Sequence, residues 1–269
     1  MGEHNSATSS AVTENIILNQ DDLILEQKKR IELEIIETVP LLGDKEDFET
    51  LLKEYTNDDI YTGKVRFLMK NYSSWRRTRP DGNCFYRAFS YAYLEYLLDH
   101  QEELARFYIH AVQSKDNLMN QNFPQFTVED FHATFIEILD RMLQKHGVFD
   151  LAELHKLFNE AAYSEYVVVF LRLITSSELR QRSSFYENFI DGNRSVDQFC
   201  KQEVEPMYRE SDHIHITALT NALGVSVKVR YMDRGDTEEV IAHDFNVDGD
   251  KEPLVNLLYR PGHYDILYI

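Results

Sequence analysis

A cysteine stands directly behind a tight turn in RPDGNCFYRAF, Arg79 to Phe89, and it is one of two cysteines in the chain. Cys84 follows Asp81-Gly82-Asn83 and opens the run Phe85, Ala88, Phe89, Ala92, whose helical spacing makes Cys84 the first residue of a helix. Unpaired N–H groups and the positive end of the helix dipole stabilise a thiolate there, and the thiolate is the nucleophilic form. The same N–H groups, from Gly82 through Asn83 to Cys84, can hold the oxyanion of a tetrahedral intermediate. Gly82 lets the turn visit positive φ and a substrate carbonyl come close. Two readings stay open on this spacing alone, a nucleophile and a small core residue, because cysteine is among the most buried residue types. The turn by itself is not the signal. Asp191-Gly192-Asn193 repeats it and is followed by Arg194.

A thiolate catalyst needs a general base, and of ten histidines His263 has the setting for it, in LLYRPGHYDILYI. Pro261-Gly262 closes a turn, and the strand after it places His263 and Asp265 on one face. An aspartate so placed holds the imidazole in one tautomer and one orientation. The alternative is a surface His–Asp pair on an edge strand, which only geometry can separate from a catalytic one. His213 and His215 in SDHIH are the other candidate pair, but no Cys-x-x-Cys, no HExxH and no carboxylate pair accompanies them, so no metal site is expected. Asp212 reads instead as the cap of their helix.

The elements that must position these residues change character along the chain. Residues 1–20 are polar and aperiodic and read as disordered. Residues 21–56 read as a helical extension, with Ile24, Ile31 and Ile35 on one stripe and a second short helix through Phe48, Leu51, Leu52 and Tyr55. Residues 57–269 read as the main domain. Helices fill most of it: one through Val65 to Met69, one from Cys84 through Leu98, one through Phe131 to Met142 opened by a capping box of Thr127 and Asp130, and Tyr166 to Ile174, where three valines keep a strand open. After Gly224 the period becomes two, with strands at VSVKVRY, Glu239 to Ala242, Leu254 to Tyr259 and Tyr264 to Ile269. The expected class is α+β, a helix-rich body with a C-terminal, mainly antiparallel sheet.

Composition excludes several functions. Forty-six acidic against twenty-eight basic residues give a net charge of −18, which repels phosphate backbones and anionic membranes, so neither nucleic acid nor membrane is an expected partner. Two distant cysteines and a polar start without an apolar leader place the protein in a reducing compartment, the cytoplasm and secondarily the nucleus. The sequons at Asn71 and Asn193 are then expected to carry no sugar. Patterns for α/β serine hydrolases, P-loops and dinucleotide binders are absent from the sequence.

The segments DGNCFYRAF, EVEPMYRESDHIHITAL, VRYMDRG and LLYRPGHYDILYI, in that order, resemble the otubains, a branch of the ovarian-tumour (OTU) cysteine proteases. The resemblance runs from about Asp21 to Ile269. It implies a papain-like OTU fold and a cofactor-free deubiquitinase, an isopeptidase that prefers the proteasome-directing chain linkage. Its sites fall on Cys84 as nucleophile, His263 as base, Asp265 as orienting acid and Asp81 as the turn aspartate. Asp212, His213 and His215, with the loop Met232, Asp233 and Arg234, fall on the surface that grips the distal ubiquitin. The implied partners are ubiquitin and polyubiquitin, bound by a monomer, with residues 21–56 serving the proximal ubiquitin or a ubiquitin-conjugating enzyme. The other implied role is a non-catalytic restraint of conjugating enzymes.

Overall fold

Helical runs before Gly224 and period-two runs after it become helices and strands in the computed structural model, which describes residues 23, 24, 26, 27, 30, 31, 34–144, 149–235, 237–247, 249 and 252–269. The disorder read over residues 1–20 lies outside the described residues, as do the turn positions Asp236, Asp248 and Asp250. The chain divides into two units, Met1–Pro40 and Leu41–Ile269. In the first, the described residues from Leu23 to Thr38 are helical, and Leu23, Ile24, Ile31 and Ile36 are exposed. The second unit begins at Leu41 rather than at residue 57.

That larger unit runs β1 (Leu42–Glu46), α1 (Phe48–Glu54), α2 (Asp59–Leu68), β2 (Ser74–Thr78), α3 (Cys84–Leu98), α4 (Gln101–Asn120) and α5 (Gln125–Leu143). It continues with α6 (Leu151–Asn159), α7 (Ala161–Gln181), α8 (His213–Leu223), β3 (Val227–Tyr231), β4 (Ile241–Phe245), β5 (Val255–Arg260) and β6 (His263–Tyr268). Short helical turns at Ser183–Tyr186, Glu187–Phe189 and Val196–Phe199, and a π-turn at Cys200–Val204, connect α7 to α8. The valine-rich run is helical, with Val167 and Val168 buried inside α7. The Thr127–Asp130 capping box does not form, because α5 has already begun at Gln125 behind Pro124, whose φ of −58° suits a helix entry.

Six strands form one sheet in the order β1-β2-β6-β5-β3-β4. Every pair is antiparallel except β3–β5. The first two strands precede Cys84, and the sequence reading passed over both. LGDKE is a polar edge strand with no alternation to find. SWRRT hides a buried strand behind two arginines, of which Arg76 is buried against Tyr268 and the Gly43 carbonyl.

Neighbouring residues of the inner strands go to opposite cores, as period two requires. Leu257 and Ile266 join the core built by α3 to α8, while Leu258 and Leu267 join a second core with Trp75, Phe48 and Leu51. The sheet is therefore covered on both faces, by the long helices on one and by α1 and α2 on the other. This arrangement brings the start of α3, where Cys84 lies, to the β5–β6 turn that carries His263.

Candidate active site

The turn before α3 is fixed from three sides. Asp81 Oδ1 accepts the Asn83 N–H at 2.9 Å, and the Asp81 carboxylate pairs with Arg87, whose side chain is fully buried. Breaking such a buried pair by removing one partner costs about 3–5 kcal/mol. Asn83 Oδ1 accepts from the Tyr208 amide at 3.0 Å and from Arg172 at 2.9 Å. Arg172, buried in α7, also donates to the carbonyls of Gly82, Val204 and Arg209. One cation thus staples the nucleophile turn to the loop before α8.

Gly82 has φ +75°, and a Cβ there would lie 2.5 Å from the carbonyl carbon and oxygen of Tyr208. The glycine is required by its neighbouring chain as well as by its own backbone. Gly192, in the repeated turn, has φ +76° but nothing within 4 Å, and no such staple holds it.

The sequence reading offered the amides of Gly82, Asn83 and Cys84 to an oxyanion. The Asn83 amide is already taken by Asp81, so it leaves the set. Among the described residues nothing accepts from the amides of Gly82 and Cys84. Cys84 is 3% exposed and belongs to the main core. It is packed like a core residue and also interacts with the His263 ring.

The candidate base, His263, has its Nε2 2.8 Å from Asp265 Oδ1. With Nε2–H donating to the carboxylate, Nδ1 is left to act as the base. Nδ1 is buried without a hydrogen-bond partner, and Cys84 interacts with the ring. Burial alone would lower the His263 pKa, but the Asp265 hydrogen bond and the Cys84 thiol outweigh it and lift it to about 9. Asp265 is fully buried. Burial would raise its pKa, yet Arg260 and His263 hold it below the usual carboxylate range, helped by the Thr78 amide at 3.0 Å.

The imidazolium is thus favoured from below the free imidazole value of 6.5 and is lost as pH rises through about 9. The alkaline limb of kcat/KM is expected near pH 9. In Asp265→Asn it should move to lower pH, because burial then acts on the ring without the carboxylate that opposes it. A limb that stays in place would contradict the orienting role.

The second cysteine has a different setting. Cys200 is buried with its thiol against the Ser176 carbonyl at 3.8 Å, and burial pushes its pKa up to about 11. Among the described residues no group of three or more His, Cys, Asp or Glu is arranged to hold a metal ion.

The residues expected on the distal-ubiquitin surface separate into two groups. His213 and Asp212 line a cleft of about 600 Å³ together with Phe185, Phe189, Ile214 and Phe245. Phe185 and Phe189, absent from the sequence reading, are 45% and 62% exposed, while His213 stacks on Tyr231. His215 is buried: its Nδ1 accepts the Asp212 amide, and burial lowers its pKa to about 4. Met232 is fully buried in the core under Trp75, and the loop after it is tied to α2 by Asp233–Lys64 and Arg234–Asp58 pairs. His215 and Met232 therefore serve the fold. Chain neighbours of a surface residue share its sequence segment but not its exposure.

The family description Peptidase C65 Otubain matches residues 34–269. The chain belongs to the otubain family. This otubain is 50% identical over 252 residues to the ubiquitin thioesterase OTUB1 of Homo sapiens, covering 93% of this chain and 91% of the relative. It is 43% identical to the ovarian tumor domain-containing deubiquitinating enzyme 1 of Arabidopsis thaliana, over 86% of this chain and 81% of that one. Among solved structures it matches an h/ceOTUB1–ubiquitin aldehyde–UBCH5B~Ub complex with a TM-score of 0.85 at 35% identity, covering 93% of this chain and 98% of that one. A ceOTUB1 complex with ubiquitin aldehyde and UBC13~Ub matches equally well, at a TM-score of 0.85.

Proposed function

We propose that this otubain hydrolyses ubiquitin–lysine isopeptide bonds through an acyl-enzyme on Cys84. As a member of its family it is a cysteine deubiquitinase. The observation that carries the mechanism is a cysteine at a helix start that interacts with a buried histidine, itself held through its other ring nitrogen by a buried aspartate.

The Cys84 proton rests on His263 Nδ1, as the raised pKa of the ring favours, and the thiolate of this ion pair attacks the C-terminal carbonyl carbon of ubiquitin. The oxyanion lies against the amides of Gly82 and Cys84. When the C–N bond breaks, the proton on His263 passes to the departing lysine amine. Water, deprotonated by the same nitrogen, then attacks the thioester, frees the ubiquitin carboxylate and restores the thiol. Asp265 keeps the ring in place throughout, and Asp81 holds the turn.

The distal ubiquitin fits the cleft beside His213, whose exposed aromatic rims suit an apolar patch. The unit Met1–Pro40, with exposed Leu23, Ile24, Ile31 and Ile36, is assigned to the proximal ubiquitin or a conjugating enzyme, with preference for the proteasome-directing linkage. The protein is assigned to the cytoplasm, and secondarily to the nucleus, as a monomer. The second reading, non-catalytic restraint of ubiquitin-conjugating enzymes, is supported by the conjugating-enzyme complexes of its structural relatives.

A panel of differently linked di-ubiquitins tests these assignments, using the full chain, a chain beginning at Leu41, and Cys84→Ala. The proteasome-directing linkage should be cut fastest. Removal of Met1–Pro40 should raise KM for di-ubiquitin while a mono-ubiquitin probe still labels Cys84 at the full rate. Equal cutting of all linkages would remove the preference. If Cys84→Ala still slows ubiquitin transfer from a loaded conjugating enzyme, the restraint is independent of the chemistry.

A further inference from the structure

The β5–β6 register sets Arg260 opposite His263 and Leu258 opposite Asp265, so one strand lays a guanidinium diagonally beside the buried acid of the other. Arg260 pairs with Asp265 Oδ2, leaving Oδ1 for His263 and the Thr78 amide. The far side of the guanidinium is held by α1 and its end: Glu54 Oε2 accepts at 3.1 Å and the Tyr55 hydroxyl lies 3.4 Å away. Its plane lies over Trp75, with the guanidinium carbon 5.5 Å from the ring centre.

We propose that Arg260 is the positioning residue of the orienting acid, fixing the Asp265 carboxylate in charge and direction while α1 anchors the guanidinium. This rests on the Cys84–His263–Asp265 mechanism above. It also brings Glu54 and Tyr55, which the sequence reading placed in an extension outside the chemistry, into support of the site.

The charges around Asp265 are few and their signs oppose one another. Arg260 comes from β5, His263 from β6 and Cys84 from α3; Glu54, from α1, faces Arg260 and also pairs with Arg77 of β2. A buried carboxylate that loses its cation takes up a proton more readily. Once protonated, it no longer holds an imidazolium. Arg260 therefore keeps the site working on the acid side, whereas Glu54, by drawing on Arg260, opposes that effect.

The test is the pH dependence of kcat and KM on ubiquitin carrying a C-terminal fluorogenic amide, using the full chain. Arg260→Gln should lower kcat on the order of 10²-fold, as small misplacements of a catalytic group do, with KM unchanged and the acid limb moved to higher pH. Arg260→Lys should bring the acid limb back while recovering only part of kcat, since an ammonium keeps the charge without the fork. Glu54→Gln should leave the acid limb in place or move it to lower pH. A merely structural role would move Arg260→Gln and Glu54→Gln in the same direction, and that result overturns the proposal, as does a raised KM with kcat intact.

Melting temperature against pH, measured in the Cys84→Ala background, reads the same carboxylate without catalysis. The acid-side loss of stability should begin at higher pH when Arg260→Gln is added. This arm separates failure of the positioning role from failure of the mechanism. If Arg260→Gln does not fold, Arg260→Lys and Glu54→Gln still decide, and an acid limb raised in Glu54→Gln refutes the assignment.

Discussion

Cys84→Ala is expected to remove isopeptide cleavage by on the order of 10⁶-fold, the loss seen when a nucleophile is taken from a hydrolytic triad. Among the described residues the one other cysteine, Cys200, is not placed to replace it. His263 would then face a methyl group, and Cys200 is buried against Ser176 with its pKa raised to about 11. The fold should survive. Cys84 is buried in the main core, but alanine removes one sulfur atom from a helix start whose geometry is held by Asp81–Arg87 and Asn83–Arg172. Circular dichroism and a melting curve close to those of the unmodified chain, with no turnover of di-ubiquitin, are the expected results. A large drop in melting temperature would mean that packing at Cys84 outweighs its chemistry.

His263→Ala should cost about 10²–10⁴-fold in kcat, the usual worth of one general acid–base group. Two steps depend on the ring, deprotonation of the thiol and protonation of the leaving lysine amine. The second step gives the variant a signature. A substrate whose leaving group needs no proton, such as a ubiquitin thioester, should lose less rate than an isopeptide. His263→Ala also leaves Asp265 buried with Arg260 as its remaining charged partner, so the acid stays ionised and the sheet stays intact. Equal losses on thioester and isopeptide would place the defect in thiol activation alone.

How much of this was legible in the sequence depended on whether a residue announces itself by its neighbours in the chain. Cys84 stands out as a candidate because the turn and the helix that frame it are contiguous, and so do His263 and Asp265, two apart on one strand. The turn sequence offers the Asn83 amide to an oxyanion alongside its neighbours, and the fold gives that amide to Asp81 instead. Nothing in DGN says that the Asp81 side chain folds back onto the Asn83 amide. The residues that hold the site came from afar: Arg172 lies 89 positions from Asn83, and Glu54 lies 206 positions from Arg260. In the sequence each is one arginine or glutamate in a helix or strand, and only the partners it meets in the folded chain set it apart.

The sheet shows the same limit. β3 to β6 were read from alternation, but β1 and β2 are short and rich in charge, and tertiary pairing rather than pattern makes them strands. Their recovery moves the start of the compact unit to Leu41, which carries α1 into it and with it the anchor of Arg260. Of the residues expected on the distal surface, His213 is exposed while His215 and Met232 are buried, since exposure alternates within a helix and changes abruptly where a strand ends.

Cys84, and not Cys200, is expected to be the nucleophile presented to the ubiquitin C-terminus. The direct measurement is reaction with ubiquitin bearing a C-terminal electrophile, followed by peptide mapping of the adduct. One adduct is expected, at Cys84, formed at a rate that falls sharply in His263→Ala and absent in Cys84→Ala. An adduct at Cys200, or labelling that persists in Cys84→Ala, would contradict it.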